Sequence, residues 1–222
     1  MSLRASIRRV GSRIRGKLHG FAVLTSATAA IEFALVLPIM LTTYLGSVEV
    51  GEGVTADRKL SNLALTLANL TARSAGALQD SDLNSIFNAG AAVLAPFDYT
   101  QAGMVVTSIV FDTANPPNAY VVWSSATGPG ATAMTPSCSA NLSTTLVPNS
   151  IRTSNGSVIL GQATFPYKPA IGYVVTGTIN LSEANFMVPR NVSSVPRTNS
   201  GGVTYSKCSG GSLAALDSPA SG

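Results

Sequence analysis

The apolar positions of this chain follow three rhythms in turn: one continuous run, one helical stripe, and a set of strand-like bursts. The continuous run extends from Leu18 to Val48, where the only ionisable groups are His19, Glu32 and the weakly acidic Tyr44. A bilayer-spanning helix needs about 20 predominantly apolar residues, so the run is long enough to cross a membrane. Its densest part is AAIEFALVLPIML, Ala29 to Leu41, and Thr25, Ser26, Thr28, Thr42 and Thr43 dilute the remainder. Pro38 lacks an amide hydrogen and crowds the Ala34 carbonyl. It predicts a kink rather than an end, because membrane helices tolerate proline.

After Val48 the pattern stays helical but becomes one-sided. Leu60, Leu63, Leu67 and Leu70 form a single stripe, flanked by Arg58, Ser61, Asn62, Asn69 and Arg73. One helix from about Gly20 to Ser74 would be roughly 80 Å long at 1.5 Å per residue. Its second half is expected to pack on the chain's own sheet; a coiled coil with another subunit would use the same stripe. Gly51 and Gly53 weaken the helix where the two halves meet, which suggests a hinge. A second helix is expected near QDSDL, capped by Asp80 or Ser81. Leu83, Ile86, Phe87, Ala91 and Leu94 fall on one of its faces, and Pro96 stops it.

From about residue 100 the rhythm becomes that of strands. The segments 103–112, 119–126, 157–167 and 172–181 are rich in Val, Ile, Thr and aromatics. TANPPN marks a turn that makes the first two an antiparallel hairpin. Residues 127–155 read as an extended loop around Cys138. The stretch after Pro189 reads as a polar, Gly/Ser-rich tail that Cys208 can tether. A four-stranded antiparallel sheet backed by the leucine stripe buries both apolar faces, which is an α+β fold. The expected organisation is a tail at 1–19, a membrane helix at 20–48, an amphipathic helical region at 49–96, and a β-rich domain with a flexible C-terminal tail at 97–222.

Charge adds a direction. The chain has 222 residues, 45% hydrophobic and 11% charged, with a net charge of +4. Arg4, Arg8, Arg9, Arg13, Arg15 and Lys17 crowd the first 17 residues without an acid among them, while the rest carries eight basic and ten acidic residues. Basic flanks stay in the cytoplasm, so the tail is expected inside and the C-terminal domain outside. A removable signal peptide has a shorter, uncharged apolar region, whereas here the run continues and holds Glu32. A nucleic-acid surface needs basic residues across a folded face, and none is visible. If the domain lies outside the cytoplasm, Cys138 and Cys208 are expected to form a disulfide.

The search for chemistry is nearly empty. The only histidine is His19, so Ser-His and Cys-His dyads are excluded from the C-terminal domain and zinc is not expected. No phosphate-binding loop or nucleophile elbow occurs, and GPGATA, Gly128 to Ala133, lacks the strand–turn–helix context of a dinucleotide site. Asp80, Asp82, Asp98, Asp112 and Glu183 are scattered and read as caps, turns and solvated surface. The five Asn-x-Ser/Thr sequons, such as Asn141–Ser143, fit a Ser/Thr/Asn-rich chain. The expectation is a protein that is not an enzyme and binds no cofactor or metal.

The exception is Glu32. A carboxylate at membrane depth costs roughly 2.5–3.5 kcal/mol on insertion scales and marks function by default. It is either hydrated near the interface or paired with a cation, and one fitting cation is an α-amino group made by a cut between Ala27 and Thr28. ATAAIEFALVLP, Ala27 to Pro38, resembles the N-terminal signature of TadE-like proteins, pseudopilins of the tight-adherence (Flp) pilus system. Ile31, Glu32, Phe33, Ala34, Leu35, Val36, Leu37 and Pro38 follow that signature in order. The likeness continues more loosely over GSVEVGEGVTADRKLSNLALTLANLTAR, and VPR at Val188–Arg190 resembles the family's closing motif. Processed members usually carry Gly where this chain has Ala27.

The resemblance implies a pilin-like plan and an anchor in the inner membrane, with the tail cytoplasmic and the domain periplasmic. It implies a prepilin-type peptidase acting at Ala27–Thr28, and Glu32, with Phe33 beside it, meeting an N-terminal ammonium during subunit pairing. Other pilus subunits and the inner-membrane secretion platform are the expected partners. The rival expectation is a single-pass anchored extracytoplasmic binding or sensory domain. A weaker one is an enzyme with an unusual Asp/Ser site, which a deep acidic cleft would support.

Overall fold

The computed structural model describes residues 25–169, 172, 176–199, 201–209 and 212–216. The basic tail, His19 and Gly20 lie outside them. The chain divides into two compact units, Met1–Gly51 with Ala170–Thr176, and Glu52–Pro169 with Gly177–Gly222.

Helix α1 (Thr25–Ala72) contains Pro38 and runs unbroken through Gly51 and Gly53. In the first unit its apolar side chains from Ile31 to Tyr44 are exposed, and Leu45 and Val48 are half-buried. Ile31, Phe33, Leu35, Ile39, Met40 and Tyr44 are each at least 60% accessible. The stretch Thr28–Ala72 is long and apolar enough to cross a membrane, and its most apolar window is unburied. Three hydroxyls toward the end of the run are satisfied inside the helix. Thr42 donates to the Pro38 and Ile39 carbonyls (2.9 and 3.0 Å), Thr43 to Ile39 (2.8 Å) and Ser47 to Tyr44 (2.7 Å). These bonds remove most of the cost of a hydroxyl in an apolar medium.

In the second unit α1 is the backing of a sheet. Leu60, Leu63, Ala64, Leu67 and Ala68 are fully buried, and Leu70 packs at the margin of the same core. The stripe is therefore used within the chain and not for a coiled coil. Helix α2 (Asp80–Val93) lays Leu83, Ile86, Phe87 and Ala91 into this core. Its N-cap is Gln79, not Asp80 or Ser81. The Gln79 amide donates to the Asp82 carboxylate at 2.9 Å, so the acid acts from the third helical position. The helix ends at Val93, three residues before Pro96.

The main sheet has the order β2-β1-β3-β4, all antiparallel. Its strands are β1 (Gly103–Phe111), β2 (Ala119–Thr127), β3 (Ser157–Tyr167) and β4 (Ile179–Met187). The first three fall within a residue of their expected bounds. The fourth does not: of residues 172–181 only Ile179–Leu181 are strand, 172 and 176–178 are not, and 171 and 173–175 lie outside the described residues. The ladder aligns Tyr167 with Ile179 and Ile159 with Met187, so the strand that pairs with β3 is the polar INLSEANFM.

One face of the sheet packs on α1 and α2. The other is covered by the long loop, with Val147, Leu142, Leu146 and Ile151 against Ile109, Phe111, Val158 and Leu160. Covering on both faces explains why every residue of β1 is buried. A bulge opposite Ser108 and Ile109 lets the consecutive Val122 and Trp123 both enter the helix-side core. The closest approach is at Gly161, where a Cβ would press on the Ala64 carbonyl oxygen and lie 2.9 Å from the Ala68 amide nitrogen. Only glycine lets β3 and α1 meet backbone to backbone there.

The tail folds further than expected. β5 (Arg197–Thr198), β6 (Thr204–Ser209) and β7 (Ser212–Leu216) form a three-stranded antiparallel sheet. Trp123 Nε1 donates to the Val195 carbonyl at 2.8 Å, and Arg197 donates to the Ser124 carbonyl and the Asp80 carboxylate, both at 2.9 Å.

Candidate assembly segment and folded domain

The sites predicted from sequence fall into two groups, described separately. The first lies along α1. Ala27 and Thr28 are in the helix, and Glu32 is an exposed residue in it. Glu32 has no hydrogen bond or ion pair among the described residues. Phe33 is 62% exposed beside it. Thr28 and Glu32 stand four residues apart, which puts them on one helical face about 6 Å apart along the axis. An ammonium on Thr28 would thus be within reach of its own chain's carboxylate, and a neighbouring helix could offer the same partner. Residues 28–48 span about 31 Å at 1.5 Å per residue, against a hydrocarbon core of about 30 Å. Glu32 sits one turn in from one end of that stretch. An all-round apolar helix that is not buried in its own protein needs lipid or other helices around it.

At the other end α1 is closed by the chain's C-terminal part. The Arg190 amide donates to the Ala72 carbonyl at 3.0 Å, and Asn191 Nδ2 donates to the Arg73 carbonyl at 2.6 Å. Arg190 of the VPR motif and the Asn191 that follows it thus supply partners for carbonyls that a helix end leaves unpaired.

The second group belongs to the folded domain. Cys138 and Cys208 form a disulfide with Cα atoms 5.5 Å apart, as expected, and no free cysteine remains. It tethers the long loop to β6. A cavity of about 370 Å³ lies beside it, lined among others by Phe111, Asp112, Tyr120, Ser194 and Lys207. This is not an acidic cleft, since Asp112 is its one carboxylate.

Asp112 is occupied by structure. One oxygen accepts from the Asn118 and Ala114 amides (2.8 and 3.0 Å), the other from Asn118 Nδ2 (2.7 Å) and more distantly Tyr120 Oη (3.4 Å). The Asn118 side-chain bond above all, with the Asn118 and Ala114 amides and Tyr120, holds its pKa below the ordinary carboxylate value against an opposing desolvation. Asp98 is likewise lowered by the Thr100 hydroxyl and amide. Asp82 caps α2 and Asp80 pairs with Arg197, so four of the five scattered acids serve caps, turns or a surface ion pair. Among the described residues no cluster of His, Cys, Asp or Glu has the makings of a metal site.

Sequence reading missed Arg152. It is buried in the loop and donates to the carbonyls of Val147 (3.0 Å), Pro117 (3.1 Å) and Leu142 (2.8 Å), and to Asn141 Oδ1 (3.2 Å). Asn141 passes the network on to Asn118, which holds Asp112. A single arginine between Pro148 and Pro166 gives no periodic signal that could have revealed it.

These features define a class: an α+β domain on a helix that is a candidate single membrane span. Residues 27–68 match the family model described as TadE-like protein, which covers the apolar half of α1 and most of its leucine stripe. The TadE-like resemblance read from the sequence is therefore shown over that segment. No curated protein and no solved structure matches the chain.

Proposed function

We propose that the protein is a membrane-anchored, non-enzymatic pseudopilin that helps to assemble a tight-adherence type pilus. The observation that carries this reading is the first half of α1. It is apolar on all sides, unburied, TadE-like in sequence, and interrupted by one carboxylate with no partner among the described residues. In this reading the basic tail stays in the cytoplasm, the domain lies in the periplasm, and a prepilin-type peptidase cuts between Ala27 and Thr28. The new ammonium pairs with Glu32 of the same or a neighbouring subunit. Pairing offsets the cost of burying either charge and sets the register between helices. Phe33 packs beside the pair, and the secretion platform of the inner membrane receives the assembled helices.

A Glu32→Gln change tests this. The expected result is unchanged membrane insertion and domain folding with loss of co-purifying pilus subunits and of surface filaments. Filaments at wild-type number and length would overturn the assignment. The alternative, an anchored binding or sensory domain, is favoured by the cavity beside the disulfide. It predicts that Glu32→Gln is silent and that substitutions at Lys207 or Tyr120 abolish function.

A further inference from the structure

We propose that the outer edge of β4 docks an extended strand of a different polypeptide, one that presents a lysine or arginine opposite Glu183. β4 is the last strand of the sheet, and it pairs with β3 over nine residues without a register break. Among the described residues no backbone hydrogen bond reaches its outer side. The opposite edge is different: along β2 the Val121 carbonyl accepts from Ser137 and the Ala119 carbonyl from Leu142, at 2.9 and 2.8 Å. Exposed edges are normally guarded by proline, lysine, a bulge or a very short strand. Ile179–Met187 has none of these; of the charged side chains that also guard edges it has one, Glu183, which repels an acidic strand but not a basic one.

Its one charge is Glu183, at the centre of the strand and half-buried, with no hydrogen bond or ion pair among the described residues. It lies between Leu181, which packs on the helix-side core, and Asn185, whose Nδ2 donates to the Ser61 carbonyl at 3.2 Å. A half-buried carboxylate without a partner suits an incoming cation. Charge also argues against a second copy as occupant. Antiparallel self-pairing over all nine residues sets Glu183 opposite Glu183, which is unfavourable, and the β2 edge of another copy is already covered. What remains is strand addition by another chain, with main-chain bonds supplying affinity and the cross-strand charge supplying selectivity. The inference stands whether or not the helix assembles a pilus.

The test is hydrogen exchange on the full chain in detergent micelles. The probe is an acetylated nine-residue peptide of alternating Thr and Val with Lys at its centre, compared with the same peptide carrying Glu there. Saturating Lys peptide should slow exchange within 179–187 at least tenfold, and the Glu peptide should bind about fivefold more weakly. Glu183→Lys should invert that preference while leaving the fold intact. No slowing by either peptide would overturn the proposal, as would a preference that Glu183→Lys leaves unchanged. Protection of β4 that rises with protein concentration without peptide would mean self-pairing, and would also overturn it.

Discussion

The contact of Gly161 with α1 carries a prediction that can be worked from the structure. A Cβ at this position would press on the Ala64 carbonyl oxygen and stand 2.9 Å from the Ala68 amide nitrogen and 3.1 Å from the Ala68 Cβ. Carbon atoms pack best at about 3.5–4.0 Å, so the methyl group falls short by about half an ångström or more at several atoms at once. The obstacles are backbone and a methyl group, not the end of a flexible side chain. The helix must therefore shift from the sheet along a row of fully buried leucines. Overpacking of this kind costs about 1–3 kcal/mol. Relieving the unfolded-state entropy of a strand glycine returns about 0.5–1 kcal/mol. Gly161→Ala should thus destabilise by about 1 kcal/mol. With a urea dependence of about 2 kcal/mol per molar, the midpoint falls by about 0.6 M. Trp123 is the only tryptophan, is 3% exposed and lies in the same core, so its fluorescence reports this transition. Gly51→Ala is the control. Nothing lies within 4 Å of its added Cβ, so alanine should stabilise the helix by up to about 1 kcal/mol. If Gly161→Ala unfolds at or above the wild-type midpoint, the close approach of β3 and α1 is refuted.

Other substitutions probe other parts. Cys138→Ser with Cys208→Ser opens a loop of 70 residues' separation, and chain entropy puts the loss at roughly 4 kcal/mol, read as the drop in urea midpoint against the oxidised wild type. Arg152→Met keeps much of the volume but strands acceptors from residues 117 to 147, and should cost about 2–3 kcal/mol by the same assay. Asp98 and Asp112 have folded-state pKa values below the unfolded value of 3.8, so their contribution is present above that value and is lost as pH falls below it. Urea midpoints measured from pH 5 to pH 2 should therefore decline below about pH 4, and Asp112→Asn should flatten part of that decline.

The parts of the fold that were legible in the sequence are those where one physical signal dominates. Leu60, Leu63 and Leu67 recur at helical spacing and are fully buried, β1 is buried on both faces throughout, and β2 and β3 are rich in Val, Ile, Thr and aromatics and buried over more than half their length. β4 was misplaced because it is an edge strand. Its Asn, Ser and Glu content hides the ladder, while the apolar YVVT before it looks more like a strand. β5 to β7 were missed because TYSKCS and SLAAL are short and polar or alanine-rich, so what holds them is tertiary: the disulfide and the anchors at Trp123 and Arg197. At the candidate site the residue types could be read along the chain, since one carboxylate in an apolar run is conspicuous. The proposed partner could not, because an ammonium made by processing and a neighbouring subunit would both be absent from a single chain's pattern. Arg152 shows the same limit within the domain, since its role depends on carbonyls that only the folded loop brings together.

The pairing of Glu32 with an N-terminal ammonium is tested most directly by the intact mass and N-terminal sequence of the protein purified from membranes. The account predicts a chain whose first residue is Thr28, with a free amine four residues before the carboxylate. A mature chain that still carries Met1 and the basic tail would contradict it, because Glu32 would then have no such cation to meet.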